Sequence, residues 1–160
     1  MRGNGAQGRA NRGFPDASLP FSRGAAAPMS TGPILFFDGE CGLCARSVRW
    51  CLRHDRRRVM RFAPLQGETY AAISTPGKPT DMQSMVLSDA DGLHVRSDAV
   101  LRLLHHIGGP WAVLGILGKL LPRRVRDAIY ARIAARRMLW FGPADRCAFV
   151  NESERARFLK

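Results

Sequence analysis

The sequence feature with the clearest capacity for chemistry is a pair of cysteines in the stretch FFDGECGLCARSVRW, residues 36–50. Cys41 and Cys44 could bind a metal, form a structural disulfide, or exchange electrons with another thiol pair. The apolar residues before them, PILFF (33–37), predict a buried strand, and the pattern of residues 42–55 is helical. The pair therefore lies at the junction between a predicted strand and a predicted helix.

The position of Cys41 favours redox chemistry. Just before the first turn of a helix, unpaired backbone N–H groups and the helix dipole stabilise an anion, here a thiolate. Cys44 lies one turn further along, on the apolar stripe of the helix, and can reach back to close a disulfide. Because exchange requires an accessible attacking thiol and a shielded resolving thiol, we expect Cys41 to be exposed and Cys44 to be buried.

A zinc site is the main alternative for these cysteines. Cys41, Cys44, Cys51 and His54 have the spacing of a Cys₃His ligand set. Within one helix, however, Cys44 and Cys51 would be about 10 Å apart along the axis, at ~1.5 Å per residue, which is too far for one tetrahedral zinc. We therefore expect no metal and no other cofactor, and a packing role for Cys51 and for Cys147.

Asp38 closes the first predicted strand, three residues before Cys41. Its carboxylate could cap the following helix, a role that aspartate often fills. It could instead accept or return a proton while Cys44 attacks a mixed disulfide. The residue pattern leaves both roles open and favours capping.

The rest of the chain predicts the elements that would hold the cysteine motif. VMRFA (59–63) predicts a second strand, residues 65–73 a short helix, and the segments on either side of DADG (89–92) a β-hairpin. Ser97 is placed to begin a further helix. The resulting order is β-α-β-(α)-β-β-α with extra C-terminal helices, which predicts an α/β sandwich.

The composition predicts three parts in the chain. Residues 1–32 are rich in Gly, Ala, Arg, Asn and Pro without periodicity and predict a disordered basic tail, followed by one domain over residues 33–150 and a C-terminal tail over 151–160. The first 30 residues contain no apolar stretch typical of a secretory signal, so a cytoplasmic location is expected.

The C-terminal helices are unusually apolar. Residues 111–121 are apolar on nearly all sides, which favours burial over a position at a membrane surface. In the helix that follows Pro122, the residues Val125, Ile129 and Ile133 recur at helical spacing and are predicted to face inward.

The net charge of +12 is compatible with an acidic partner. The aromatic residues do not alternate with the arginine runs, as they would in a surface on which bases stack. We therefore expect no specific nucleic-acid partner, and we interpret most of this charge as solvated basic faces.

The motif FDGECGLC resembles that of the DCC family of predicted thiol–disulfide oxidoreductases, which is named for Asp-x-x-Cys-x-x-Cys. Asp38, Cys41 and Cys44 match this motif residue by residue. The resemblance continues through RFAPLQG, RSDAVLRLL, GGPW and LPRRVRDAIYARIAARRMLWFG, and covers roughly residues 33–147.

The resemblance implies a thioredoxin-like fold with the cysteine pair at the start of the first helix. It also implies a thiol–disulfide oxidoreductase that works through a mixed disulfide on Cys41, with Cys44 as resolving thiol. The expected partner is a disulfide-containing protein or a small thiol, and reduction is the favoured direction. One departure from thioredoxin is that no proline directly precedes the strand at Met85, the nearest being Pro79.

A second class of function is a non-catalytic, thioredoxin-like binding module. Its basic surface and residues 111–121 would then dock on a membrane protein or on an anionic membrane surface as a peripheral contact. The sequence leaves the oligomeric state open.

Overall fold

The computed structural model describes residues 32–75, 78–79, 84–144 and 152–160. In these residues the strands form one mixed sheet in the order β2-β1-β3-β4. The strands are β1 (Ile34–Phe37), β2 (Arg61–Pro64), β3 (Val86–Asp89) and β4 (Gly92–Val95). β1 runs parallel to β2 and antiparallel to β3, and β3 pairs with β4 as the predicted hairpin.

Five α-helices accompany this sheet in the described residues. They are α1 (Gly42–His54), α2 (Glu68–Ala71), α3 (Arg96–Ile107), α4 (Pro110–Lys119) and α5 (Arg123–Phe141), and a short 3-10 helix follows at Glu152–Arg157. The element order confirms the predicted β-α-β-(α)-β-β-α arrangement with extra C-terminal helices. The architecture is α/β and consistent with a thioredoxin-like fold.

The central strand β1 has two apolar faces because alternate residues of a strand point to opposite sides of the sheet. Leu35 and Phe37 join the larger core cluster, which includes Val48 of α1 and the three described cysteines. Phe36 joins a second cluster with Tyr70 of α2. Since both faces are covered, β1 is buried, and its carboxyl end directs the chain into the cysteine motif.

Residues 152–160, predicted as a C-terminal tail, lie against β2. The N–H of Leu159 donates to the carbonyl of Phe62 at 2.8 Å, which extends the backbone pairing beyond the edge strand. The Arg157 guanidinium lies 2.5 Å from the Asp55 carboxylate, and both side chains are buried. These contacts attach the end of the chain to the turn that precedes β2.

The prediction that residues 111–121 are buried is wrong. In α4, Gly115 and Gly118 lie against Leu101 of α3, and a Cβ atom at either position would be less than 3.0 Å from an atom of Leu101. Because the small residues occupy the packed side, the large apolar side chains point away from the fold, and Leu120 is 77% exposed.

Three residues of α5 that were predicted to face inward are also exposed, namely Val125, Ile129 and Ile133. The packed side of α5 instead carries polar side chains. Arg126 forms an ion pair with Asp98 at 2.8 Å, and the hydroxyl of Tyr130 accepts a hydrogen bond from the Met85 N–H at 2.9 Å. These polar contacts determine which side of α5 faces the domain.

None of the described helices is both long enough and apolar enough to span a bilayer. The tail predicted over residues 1–32 lies outside the described residues except for Gly32, and so does Cys147.

Candidate thiol site

Cys41 is the N-cap residue of α1, and its backbone has extended geometry immediately before Gly42. Its N–H donates to the Asp38 carbonyl at 3.3 Å, and its own carbonyl accepts from the Ala45 N–H at 3.0 Å. Cys44 follows within the first turn of the helix, and both residues are free thiols. The predicted position of the pair at a strand-to-helix junction is confirmed.

The accessibility predicted for Cys41 is wrong, because this thiol is 0% exposed and Cys44 is 7% exposed. The cause lies about 100 residues away in the chain. Just after α5, Pro143 pairs with Cys41 in an isolated antiparallel bridge. Both thiols are therefore enclosed, and the chain itself forms the cover.

Two backbone hydrogen bonds fix this cover on either side of Pro143. The Gly42 N–H donates to the Gly142 carbonyl at 3.0 Å, and the Ala144 N–H donates to the Glu40 carbonyl at 2.9 Å. Gly42 permits the close approach, because a Cβ at this position would lie 2.4 Å from the Phe141 carbonyl oxygen. We refer to residues 142–144 as the covering segment.

The environment of Cys44 disfavours ionisation of its thiol. Burial raises the pKa of the Cys44 thiol to about 12, and the charge of the adjacent Cys41 sulfur and a hydrogen bond with it add to the rise. A backbone hydrogen bond from Asp38 and the positive charge of Arg137 act in the opposite direction. Cys44 therefore stays protonated near neutral pH.

The prediction that Asp38 caps α1 is wrong, since no side chain caps the N-terminus of this helix. One carboxylate oxygen accepts from the Glu40 N–H at 3.0 Å and from the Gln66 amide at 3.2 Å. The other accepts from the Arg137 guanidinium at 3.1 Å, and both members of this ion pair are largely buried. Asp38 thus connects the cysteine loop to α5.

Tyr130, which like Arg137 belongs to α5, lies near Cys44. Its hydroxyl accepts from the Met85 N–H at 2.9 Å, directly before β3, where thioredoxin-like enzymes have a proline. Burial raises the pKa of Tyr130, and the nearby Cys44 contributes to the rise. A side chain of α5 thus provides the hydrogen-bond partner of the backbone N–H directly before β3.

The remaining residues of the hypothetical zinc set have other contacts. Burial raises the pKa of Cys51 to about 12, helped by the Asp55 carboxylate, so this thiol behaves as a small apolar core residue. His54 is hydrogen-bonded to the Trp50 carbonyl at 2.8 Å and contacts the Trp111 ring. Within the described ranges, no three potential ligands are grouped as a metal ion requires.

Sequence reasoning identified Asp38, Cys41 and Cys44 but not Arg137, Tyr130 or the covering segment. In sequence terms, Arg137 belongs to a run of basic residues on a helix, and Gly142 and Pro143 look like an ordinary helix terminator. The available signal was indirect, because most of these residues lie in the last segment that carries the family resemblance.

Comparison with known proteins agrees with this geometry. A family model described as DCC1-like thiol-disulfide oxidoreductase matches residues 35–143, from β1 to Pro143. The chain belongs to this DCC1-like family. The family match thus includes both the cysteine motif and the first two residues of the covering segment, the two parts of the chain that enclose the site.

Two curated relatives of the DCC1-like chain are similar over most of its length. An uncharacterized protein, YuxK, of Bacillus subtilis is 34% identical over 128 residues, which is 79% of this chain and 93% of the relative. A chloroplastic DCC family protein of Arabidopsis thaliana is 36% identical over 117 residues, which is 72% of this chain and 68% of the relative. No solved structure matches the chain.

Proposed function

We propose that the protein is a thiol–disulfide oxidoreductase that reduces disulfides of proteins or small molecules through Cys41 and Cys44. The observation that carries the proposal is the placement of two free thiols in the first turn of a helix. Cys41 is the N-cap residue of α1, a position typical of reactive cysteines, Cys44 follows three residues later, and burial raises the pKa of Cys44 to about 12. Membership of the DCC1-like family supports the same chemistry.

The reaction would proceed in two exchanges. The Cys41 thiolate attacks one sulfur of a substrate disulfide, forms a mixed disulfide and releases the other substrate sulfur as a thiolate. Cys44 then loses its proton and attacks the Cys41 sulfur, which breaks the mixed disulfide and releases the second substrate thiolate. Two electrons pass to the substrate, and the enzyme ends with a Cys41–Cys44 disulfide.

The second exchange requires a proton acceptor because burial holds Cys44 protonated. We assign this role to Asp38, whose backbone is hydrogen-bonded to Cys44 and whose carboxylate is largely buried, whereas Glu40 in the same loop is exposed. Arg137 contacts this carboxylate, and its charge also favours the Cys44 thiolate, so it acts as a positioning residue.

The first exchange requires access to Cys41, which the covering segment now prevents. We propose that residues 142–144 move aside when a substrate binds. The hydrogen-bonding groups of Glu40 and Gly42 that they release could then pair with an extended segment of the substrate. Such pairing would favour protein disulfides in extended loops.

Differential alkylation across a glutathione redox series tests the proposal. We expect Cys41 and Cys44 to oxidise together, with a midpoint between about −270 and −120 mV, the span of known thiol oxidoreductases. A Cys44→Ser variant should accumulate a mixed disulfide on Cys41, whereas a Cys51→Ser variant should behave like the wild type. Full disulfide reduction by both Cys41→Ser and Cys44→Ser would disprove the assignment.

A further inference from the structure

The exposed large apolar side chains of this protein are concentrated in one region. Of the thirteen that are exposed in the described residues, only Val59 lies outside residues 113–140. Scattered exposed apolar residues are normal on soluble domains, but a concentration of this kind marks a surface that contacts something other than water.

In α4, small residues occupy the side that packs against the domain, and large apolar residues occupy the exposed side. Its glycines face α3, and its large residues face outward: Val113, Leu114, Ile116, Leu117 and, at the C-cap, Leu120. We call these five residues the outer face of α4. Each is at least half exposed, so more than half of their apolar surface is in contact with solvent rather than with this domain.

The charge around the outer face is predominantly positive. Residues 110–141 contain seven basic residues and one acidic residue, Asp127. Lys119 and Arg124 follow the outer face at the C-terminal end of α4, and both are exposed. Arg123 between them is paired with Asp98 at 3.3 Å and with Asp127 at 3.6 Å. An apolar helix face bordered by cations combines the two interactions that hold a helix at an anionic lipid surface, namely burial of apolar side chains among acyl chains and attraction to the headgroups.

We propose that α4 is the membrane-docking element of this protein and that its outer face inserts into the interface of an anionic bilayer. The helix would lie on the bilayer rather than cross it, since its ten residues span only about 15 Å. Lys119 and Arg124 would contact lipid phosphates. This inference is independent of the thiol chemistry, because the outer face includes no residue of the thiol site.

The charge pattern also disfavours a second copy of the chain as the partner that covers the outer face of α4. Docking two outer faces against each other would bring two sets of like charges together at the rim of the contact. An anionic bilayer instead offers opposite charge over its whole surface, together with an apolar interior that accepts all five side chains.

Sedimentation of the full chain with vesicles tests the proposal. We expect the protein to bind vesicles of phosphatidylcholine mixed with phosphatidylglycerol and to bind vesicles of phosphatidylcholine alone far more weakly. Binding should decrease as salt is raised but should not disappear, because the inserted side chains are not screened. No binding to the anionic vesicles would overturn the proposal.

Paired variants separate insertion from simple charge attraction. Ile116→Ser with Leu120→Ser should weaken binding at least about tenfold, since it removes two inserted aliphatic side chains. Lys119→Gln with Arg124→Gln should weaken it roughly 30-fold, from the loss of two charges near the surface. The matched controls are Val59→Ser and the pair Arg56→Gln with Arg57→Gln, which are exposed residues away from α4 and should leave binding within about twofold.

Two outcomes would contradict insertion of the outer face. If the charge variants abolish binding and Ile116→Ser with Leu120→Ser leaves it unchanged, the interaction is generic attraction of a basic protein. If instead the full chain sediments as a dimer and does not bind vesicles, and Leu120→Ser dissociates this dimer, a second copy covers the outer face of α4. Because all the substituted residues are exposed, circular dichroism should show an unchanged fold in every variant.

Discussion

Pro143 pairs antiparallel with Cys41 and, together with its neighbours, closes the thiol site from the C-terminal side of α5. A segment near the end of the domain therefore covers the cysteine motif near its start. The accessibility of the Cys41 thiol therefore depends on the position of residues 142–144. The reactivity of Cys41 measures it.

Substitution of Gly42 by alanine should open the site. A Cβ at this position would lie 2.4 Å from the Phe141 carbonyl oxygen and 2.8 Å from that of Gly142, so the covering segment must move away. We expect the rate of Cys41 alkylation by iodoacetamide to rise about tenfold or more, at a cost of about 1–3 kcal/mol in the free energy of unfolding.

The matched control for this experiment is Gly39→Ala in the same loop, where the added Cβ would meet only Gln66 at an ordinary 3.7 Å. This variant should alkylate at the wild-type rate. An unchanged rate in a folded Gly42→Ala protein would show that the covering segment does not limit access to Cys41.

Substitution of Asp38 by asparagine should slow the second exchange. With Ellman's reagent, attack by Cys41 releases the first thionitrobenzoate and attack by Cys44 releases the second, so the two steps appear as two absorbance phases. Loss of the proton acceptor should slow the second phase by about 100-fold and leave the first phase nearly unchanged.

Glu40→Gln, an exposed carboxylate in the same loop, serves as the control and should leave both phases within about twofold. A faster second phase in Asp38→Asn would refute the proton-acceptor role. It would show instead that Asp38 acts by offsetting the charge of Arg137, which would lower the pKa of Cys44 further once this carboxylate is removed.

The Asp89 carboxylate at the end of β3 should make stability depend on pH in the acid range. Its side chain is 3% exposed and accepts hydrogen bonds from His94, Arg102 and His106. Burial opposes ionisation of this carboxyl, but the three hydrogen bonds outweigh it and lower the pKa to about 2. The unfolded chain has a value of about 3.9, so ionised Asp89 contributes about 2 kcal/mol to stability.

This contribution should be complete above about pH 5 and should disappear as the pH falls toward 2. Urea unfolding of Asp89→Asn at several pH values checks this dependence. The variant should have a lower free energy of unfolding than the wild type at pH 7, and the gap between the two values should close in acid. Asp91→Asn, an exposed neighbour, is the control. A gap that stays constant from pH 7 to 2 would rule out ionisation of Asp89 as its source.

Removal of the buried Arg157 guanidinium should destabilise the whole domain. Arg157 pairs with Asp55, whose carboxylate also accepts from the Met60 N–H at 2.9 Å, so the variant leaves a buried charge without its partner. We expect Arg157→Ala to lower the free energy of unfolding by about 3 kcal/mol in urea titrations.

Arg155→Ala, on the exposed side of the same short helix, should change the stability by less than about 0.5 kcal/mol. If Arg157→Ala were as stable as this control, residues 152–160 would be dispensable for the fold, as their prediction as a tail implies.

The sequence by itself was sufficient for the element order and for the location of the cysteine pair. Both depend on local properties: the alternation of apolar residues in β1, the helical periodicity after Gly42, and the preference of an anion for a helix N-terminus. The shielding of Cys44 follows from the same periodicity, because it places this residue on the apolar stripe of α1.

Three features of the site and of its supporting helices could not be predicted in this way. The burial of Cys41 by Pro143, the pairing of Asp38 with Arg137, and the use of Ser97 to contact Asp127 rather than to cap α3 all join residues at least 30 positions apart. A single sequence shows which groups are able to form such contacts, but the packing of α5 across the domain selects the pairs that do.

The orientation of α4 and α5 was likewise decided only by tertiary structure. Periodicity showed that Val125, Ile129 and Ile133 share one face of α5, and composition showed that residues 111–121 are apolar. Whether such a face turns inward depends on what the neighbouring elements can accept. Gly115 and Gly118 fit closely against α3, and Arg126 and Tyr130 find polar partners, so the bulky apolar side chains of both helices point outward.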